Sequence, residues 1–355
     1  MIESYRNILR KDIDRDSYAK ILRHIKLRIT DKYSSPPEIL WVNELTIGTL
    51  GNFSASVGKP KSKKTFNVCA IVAAALSGQT VLNYRCTLPE GHQKVLYIDT
   101  EQSKGHCHKV MRRIFKMANL PTDTEADSLE FLMLREYSPK QRRQIIECAL
   151  ELNPNTGLMV IDGLRDLLLD INSPAESVEV ISDLMRWTSV YNMHIHTVLH
   201  TNKDNENTRG HIGTELNNKA ETIIHVNKNE FEANVSEVKA MHSREKEFAP
   251  FAFRVNAEGL PELESDYAKE KVVQKTTIVT IHDEEHQCAL AAVFKLGAVA
   301  TYGDLINALQ TAYAGIGQKR GRNFCVKLNK HLMSRKIIEK GGKGYTYNPD
   351  AWDKV

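Results

Sequence analysis

Between residues 40 and 263 short β-rich apolar runs alternate with helical stretches, and this alternation limits the fold more than any other feature of the chain. Strands are expected at 94–99, 158–162, 194–200, 222–226 and 235–242, with helices at 104–119, 139–152 and 174–191 among the first three of them. Strands that alternate with helices predict an α/β fold, a mostly parallel sheet with helices on both faces. A further strand at 251–255 would close the sheet and could run antiparallel.

The flanks differ from this middle. Residues 1–39 read as a small N-terminal helical segment: Ile21, Leu22, Ile25 and Ile29 recur at helical spacing before Ser35-Pro36-Pro37 breaks the pattern. Residues 263–282 are polar and mixed in charge, as in a linker. Residues 283–355 form a separate unit in the order helix, helix, helix, hairpin, which is the order of a winged helix. Its second helix opens on Thr301 as a cap, its third spans 319–335, and its hairpin turns at Gly341-Gly342-Lys343-Gly344. The expected domains are thus 1–39, 40–262, 263–282 and 283–355.

Composition narrows the location and the partners. The first twenty residues are charged throughout, unlike a signal peptide, and no apolar run reaches the ~18–20 residues of a membrane span. A cytoplasmic protein without membrane contact is expected. The six cysteines form no C-x-x-C pair and are expected to be reduced; His106-Cys107-His108 is read as ordinary helix sequence rather than a zinc site. Net charge is only +4, yet residues 301–347 hold nine Lys/Arg against two Asp/Glu. Such a basic end fits either nucleic acid or a solvated surface.

The sharpest motif is Gly58-Lys59-Pro60-Lys61-Ser62-Lys63-Lys64-Thr65, close to the phosphate-binding pattern G-x-x-x-x-G-K-[ST]. Such a loop cradles phosphates with backbone N–H groups at a helix N-terminus. Lys64 would reach the outer phosphates of ATP, and the Thr65 hydroxyl would hold Mg²⁺. Gly58, Lys61, Ser62 and Lys63 complete the cradle; Lys63 stands where glycine is usual and must carry any positive φ there, at about 1–2 kcal/mol. Behind the loop, 66–76 is a small apolar helix. The run 158–162 then ends in Asp162, the position of a Walker-B carboxylate on Mg²⁺. Glu101, just past the strand at 94–99, could polarise the attacking water, or could be a helix-start charge. His200 ends another strand and either meets the γ-phosphate or joins a strand-end hydrogen-bond network.

The order of these elements resembles the RecA-like ATPases, most of all the RepA-like replicative helicases of plasmids and mobile elements, related to DnaB and KaiC. The residues that carry this are the phosphate loop at 58–65, YIDTE at 97–101, LMVIDGLRDL at 158–167, TVLHTN at 197–202, RGHIGTELNNKAETIIHV at 209–226 and EVKAMHSREKEF at 237–248. The resemblance covers roughly 40–260. It implies that Glu101 is the catalytic base and that Lys203, Arg209 and His211 face DNA in a central channel. It implies that Arg244 is a finger completing the neighbour's site in a homo-oligomeric ring, for instance a hexamer, and leaves a second finger, His242 or Lys239, open. In the C-terminal unit Lys319, Arg320, Arg322 and Lys343 would contact DNA if that unit is a winged helix, which is also a common protein-docking module. The expected function is an ATP- and Mg²⁺-dependent motor on single-stranded DNA, with duplex DNA as a second partner. The rival is an ATP-gated DNA-binding regulator or partition-type ATPase that separates no strands.

Overall fold

The computed structural model describes residues 15–33, 35–202, 208–229, 232, 234–244, 246–264, 281–318, 321–342 and 344–354. The chain divides into two compact units, Met1–Ala268 and Lys269–Val355.

The first unit begins with α1 (Arg15–Ile25), on which Leu22 and Ile25 are exposed. The helix ends at Ile25, so Ile29, expected on the same helical face, lies past it; residues 1–14 of the expected helical segment lie outside the described residues. Then come β1 (Glu38–Val42), β2 (Leu45–Thr49), β3 (Phe53–Gly58), α2 (Lys64–Ser77), β4 (Tyr84–Cys86), β5 (Lys94–Asp99), α3 (Lys104–Met117), β6 (Leu129–Met133), α4 (Pro139–Leu152) and β7 (Thr156–Asp162). A 3₁₀ turn (Leu164–Leu167) leads to α5 (Pro174–Tyr191), β8 (His194–His200), α6 (Gly210–Lys219), β9 (Thr222–Lys228), β10 (Val235–Ser243), β11 (Phe251–Val255) and β12 (Pro261–Leu263).

Among the described residues nine strands form one sheet in the order β12-β11-β10-β9-β3-β8-β7-β5-β6. The six from β9 to β6 run parallel, and β10, β11 and β12 follow antiparallel. The expected antiparallel strand at 251–255 is β11. Strands β1, β2 and β4 form a separate small antiparallel sheet.

The period of two decides what each face buries. Leu96, Ile98, Met159 and Ile161 face α4, α5 and α6 in one core with Ile146, Trp187 and Leu216. Val95, Tyr97, Leu158 and Val160 face α2 and α3 in the other core, with Val68, Ile71 and Ile114. Strands β3 and β7 are buried along their whole length, as parallel strands covered on both faces must be. The central strands also carry a buried polar chain. Ser54 Oγ lies 2.7 Å from His194 Nε2 and 2.8 Å from His196 Nδ1, and Ser56 Oγ lies 2.8 Å from His196 Nε2. These two histidines are structural, as their alternation with apolar residues suggests.

The strand β3 was passed over in the sequence, because Phe-Ser-Ala-Ser-Val-Gly holds one branched residue, Val57, among mostly small ones. It also missed β1, β2, β4, β6 and β12, all of five residues or fewer.

The second unit holds α7 (Asp283–Val293), α8 (Tyr302–Gly315), α9 (Arg322–Ser334), the hairpin β13 (Ile338–Gly341) and β14 (Gly344–Tyr347), and a 3₁₀ turn (Pro349–Lys354). Thr301 caps α8 as expected, its Oγ accepting from the Asp304 N–H at 3.2 Å. The third helix starts at Arg322 rather than 319. Leu290, Leu305, Leu309, Leu328, Leu332 and Trp352 form its core.

Trp187 is fully buried beneath the sheet. Trp187→Ala should cost about 3–5 kcal/mol, read as a lower unfolding midpoint in urea.

Candidate functional site

Strand β3 is paired with β8 and β9 and ends at Gly58, where a Cβ would lie 2.1 Å from the Val226 carbonyl oxygen. Only glycine fits. From there the chain loops into α2, with Lys61 (φ 65°) and Lys63 (φ 66°) both left-handed. Lys63 therefore does bear the positive φ that its place in the motif implied. The first N–H groups of α2 have no intrahelical acceptor and open toward the loop. Ser62 is buried, and its Oγ has no hydrogen-bond partner among the described residues.

Lys64 is buried and threads back under the loop. Its Nζ donates to the carbonyls of Gly58 and Lys59, both at 2.9 Å, and to His200 Nδ1 at 3.0 Å. Burial pushes its ammonium down to about 8. Burial, with Lys64 and Arg209 nearby, pushes His200 to about 4, so its imidazole is neutral at pH 7. With Nδ1 accepting from Lys64, the ring proton is on Nε2, which lies 4.0 Å from Glu101 Oε1. Burial and then Asp166, Asp162 and Asp99 raise the pKa of Glu101.

Across the cleft Asp162 Oδ2 accepts from Thr65 Oγ1 at 2.8 Å and from the Tyr97 hydroxyl at 3.0 Å. Burial and Asp99 lift Asp162 to about 6. The neighbouring hydroxyl and carboxylate suit Mg²⁺, whose remaining positions would go to phosphate oxygens and water. Among the described residues no group of three or more His, Cys, Asp or Glu side chains is arranged to hold a metal by itself.

Several residues to which the motifs gave no separate role support the site. Asp99 accepts from the N–H groups of Glu101 (3.1 Å) and Gln102 (2.8 Å) and so holds the turn that presents Glu101. Thr100 Oγ1 bonds to Asp166 Oδ2 at 2.9 Å, and Arg142 donates to the carbonyls of Leu134, Arg135 and Asp166. Asp166 lies far along the chain from both Thr100 and Arg142, which no local pattern reports.

Lys61, Lys63, Lys64, Thr65, Glu101, Asp162 and His200 all line one cleft of about 460 Å³, within the range of small-molecule sites. Other expected residues lie elsewhere. The Arg209 N–H donates to the His200 carbonyl at 3.2 Å, and the side chains of Arg209 and His211 are exposed. Arg244 sits just past β10, whose Ser243 pairs with Thr222 and so lies level with Ser54. That is four residues, about 13 Å, from the Gly58 end of β3, at the opposite edge of the sheet from the cleft. Its Nη2 donates to the Lys219 carbonyl at 3.0 Å. Arg322 is exposed and bonds Asn307 Oδ1 at 2.9 Å. Lys203, Lys319, Arg320 and Lys343 lie outside the described residues.

The phosphate loop, the buried parallel sheet and the paired Thr65 and Asp162 define a RecA-like P-loop ATPase fold. The sequence matches the AAA domain family over residues 19–206, just over half of the chain, and the protein belongs to that family. The match takes in Lys64, Glu101, Asp162 and His200 and stops short of Arg209, Arg244 and the second unit. Among solved structures, the crystal structure of the RadB recombinase is similar at 15% identity, over 59% of this chain and 90% of that one, with a TM-score of 0.41. A comparison with curated proteins gives no match. Among the described residues no helix is long and apolar enough to cross a membrane.

The lowered pKa of Lys64 sets a pH dependence. Below about 8 the free protein carries the ammonium that attracts phosphate; above it the amine is neutral, and binding must take up a proton. ATP affinity should therefore fall as pH rises through about 8. Calorimetric titrations at pH 8.5 in two buffers of different ionisation enthalpy should show proton uptake, and Lys64→Met should abolish it.

Proposed function

We propose that this protein is an ATP- and Mg²⁺-dependent motor on single-stranded DNA, of the RepA-like helicase type, serving replication or mobilisation of a plasmid or integrated element. One observation carries the reading: Lys64, bonded to His200, and Glu101, 4.0 Å beyond the imidazole, face Thr65 and Asp162 across one cleft. In this reading the Lys64 ammonium leaves the loop carbonyls for the β- and γ-phosphates. Thr65 and Asp162 hold Mg²⁺, which when bound neutralises charge on the transferring phosphoryl group. Glu101, whose carboxylate is made more basic by burial and then by its acidic neighbours, orients the attacking water and takes its proton. His200 senses the γ-phosphate through Lys64 and transmits it along the backbone to Arg209, into the DNA-facing loop of Lys203, Arg209 and His211.

Arg244 lies too far from its own cleft to act there, which supports a finger offered to a neighbouring subunit. The active form is then a ring, hexameric in this reading, with each site shared by two copies. The order helix, helix, helix, hairpin in the second unit supports a winged helix whose Lys319, Arg320, Arg322 and Lys343 contact duplex DNA.

A second reading is an ATP-gated DNA binder or partition-type ATPase. What favours it is the pair of lysines held left-handed in the loop, a strain of about 1–2 kcal/mol each that a rapidly cycling loop would carry at every turnover.

ATP hydrolysis with and without single-stranded DNA, at several protein concentrations, separates the two. The motor predicts stimulation by DNA and a rate per subunit that climbs with concentration; bound ATP without turnover would establish the switch. Glu101→Gln should lower kcat by at least a hundredfold and leave ATP affinity within about threefold; equal turnover would remove Glu101 from the mechanism. Arg244→Ala subunits should lack turnover alone. Mixed with subunits carrying Lys64→Ala, they should regain part of it, because some interfaces then pair an intact cleft with an intact finger.

A further inference from the structure

Helix α3 carries basic residues, and no acidic ones, along its exposed face. Lys104, His108, Arg112 and Lys116 recur at intervals of four, with Lys109 beside them, and all five are exposed. The opposite side of the helix, with Cys107, Val110 and Ile114, is buried against the sheet. The helix contains no acidic residue, and none of the five forms a salt bridge with a described residue. Asp123 and Glu125 stand across a small groove from His108 and Arg112 without pairing with them.

The contrast lies on the other face of the sheet. There Arg143 pairs with Glu179 at 2.8 Å and Asp183 at 2.6 Å, and Arg186 pairs with Asp183 at 3.0 Å and with Glu147. Arg143 of α4 and Arg186 of α5 are thus neutralised within the unit, whereas the row on α3 is left exposed. Lys104 even stands in the first turn, where the helix dipole disfavours a cation.

We infer that the outer face of α3 is a binding surface for the phosphate backbone of a nucleic acid strand, separate from the 203–211 loop. Successive members of the row are about 6 Å apart along the helix axis, comparable with the spacing of neighbouring phosphates on one strand, and the row is about 18 Å long. The exposed arc offers no apolar side chain to insert into a membrane, and its unbroken positive sign suits a polyanion. The row starts three residues after Glu101, and His106, Lys109 and Arg113 of the same helix line the nucleotide cleft. A strand held here runs beside the cleft, which gives it a direct route to influence turnover. The inference rests on the DNA-motor reading and adds a second contact surface to it.

The test uses the full chain and a labelled oligothymidylate, with binding followed by fluorescence anisotropy from 50 mM to 1 M salt. The variant K104Q/R112Q/K116Q leaves the cleft residues intact. It should bind the strand more than about tenfold less tightly at 50 mM salt, and its plot of log affinity against log salt should be shallower by about two units. ATP affinity and unfolding midpoint should match the unsubstituted chain. The charge-preserving K104R/R112K/K116R should bind as the unsubstituted chain does. Equal affinity and slope in K104Q/R112Q/K116Q and the unsubstituted chain would overturn the surface alone. Loss of self-association by sedimentation with strand binding unchanged would also overturn it, and would assign the row to a subunit contact. Failure of the unsubstituted chain to bind the strand would overturn the motor reading as well.

Discussion

The Gly58 α-carbon lies against the Val226 carbonyl with no room for a side chain, and the geometry of the cleft follows from that contact. It holds because β3 is paired on both sides, with β8 and β9, and is buried throughout. A strand so confined delivers the loop to one place at the edge of the sheet. The same parallel pairing brings the ends of β7 and β8 alongside, so Asp162 and His200 arrive at the cleft by register. Asp99 ends β5 at the same edge and holds Glu101 through two backbone N–H groups.

Charge within the cleft is arranged in opposition. One buried cation, Lys64, sits among Glu101, Asp162 and a neutral imidazole, and each perturbs the others. Burial lowers Lys64 and raises Asp162, which brings the two much closer to neutral pH than exposed groups would be. Without phosphate the ammonium is satisfied by its own loop, bonded to two carbonyls and a histidine. A triphosphate must replace these bonds with stronger charge-assisted ones. The left-handed lysines at 61 and 63 show the same loop tolerating strain where glycine would relieve it. Strain of this kind persists only where surrounding structure over-determines the backbone, as the buried strand and helix do here.

Much of this was legible before the structure. Lys64, Thr65, Glu101 and Asp162 sit in short motifs whose spacing reflects a strand, a turn and a helix, so local sequence was enough to place them. The helices at 139–152 and 174–191 were equally plain, because each opens on Ser-Pro and keeps a clear apolar face. Strand β3 was not legible, since its serines pack against buried histidines from β8, a partnership invisible in the run itself. Arg142 and Asp166 escaped for a similar reason: Arg142 donates to the carbonyls of Leu134, Arg135 and Asp166, and Asp166 accepts from Thr100 Oγ1, contacts that only the folded chain makes. The Tyr97 hydroxyl, inside an apolar run, gave no sign that it reaches Asp162.

The sequence by itself determined the alternation of strand and helix, the phosphate loop and the acidic ends of its strands, because these depend on neighbours within a few residues. Only the tertiary structure decided which strands lie side by side. Pairing across the sheet is a long-range choice, and it sets Lys64 on His200 Nδ1, directs the imidazole toward Glu101 and places Arg244 at the opposite edge. It also decided which cations would be neutralised: an arginine on α4 meets acids from α5, and the row on α3 faces solvent. The sequence already sets five Lys/Arg and no acid on α3 against three Lys/Arg and two Glu on α4; the packing of each helix against its neighbours decides which of these charges are paired.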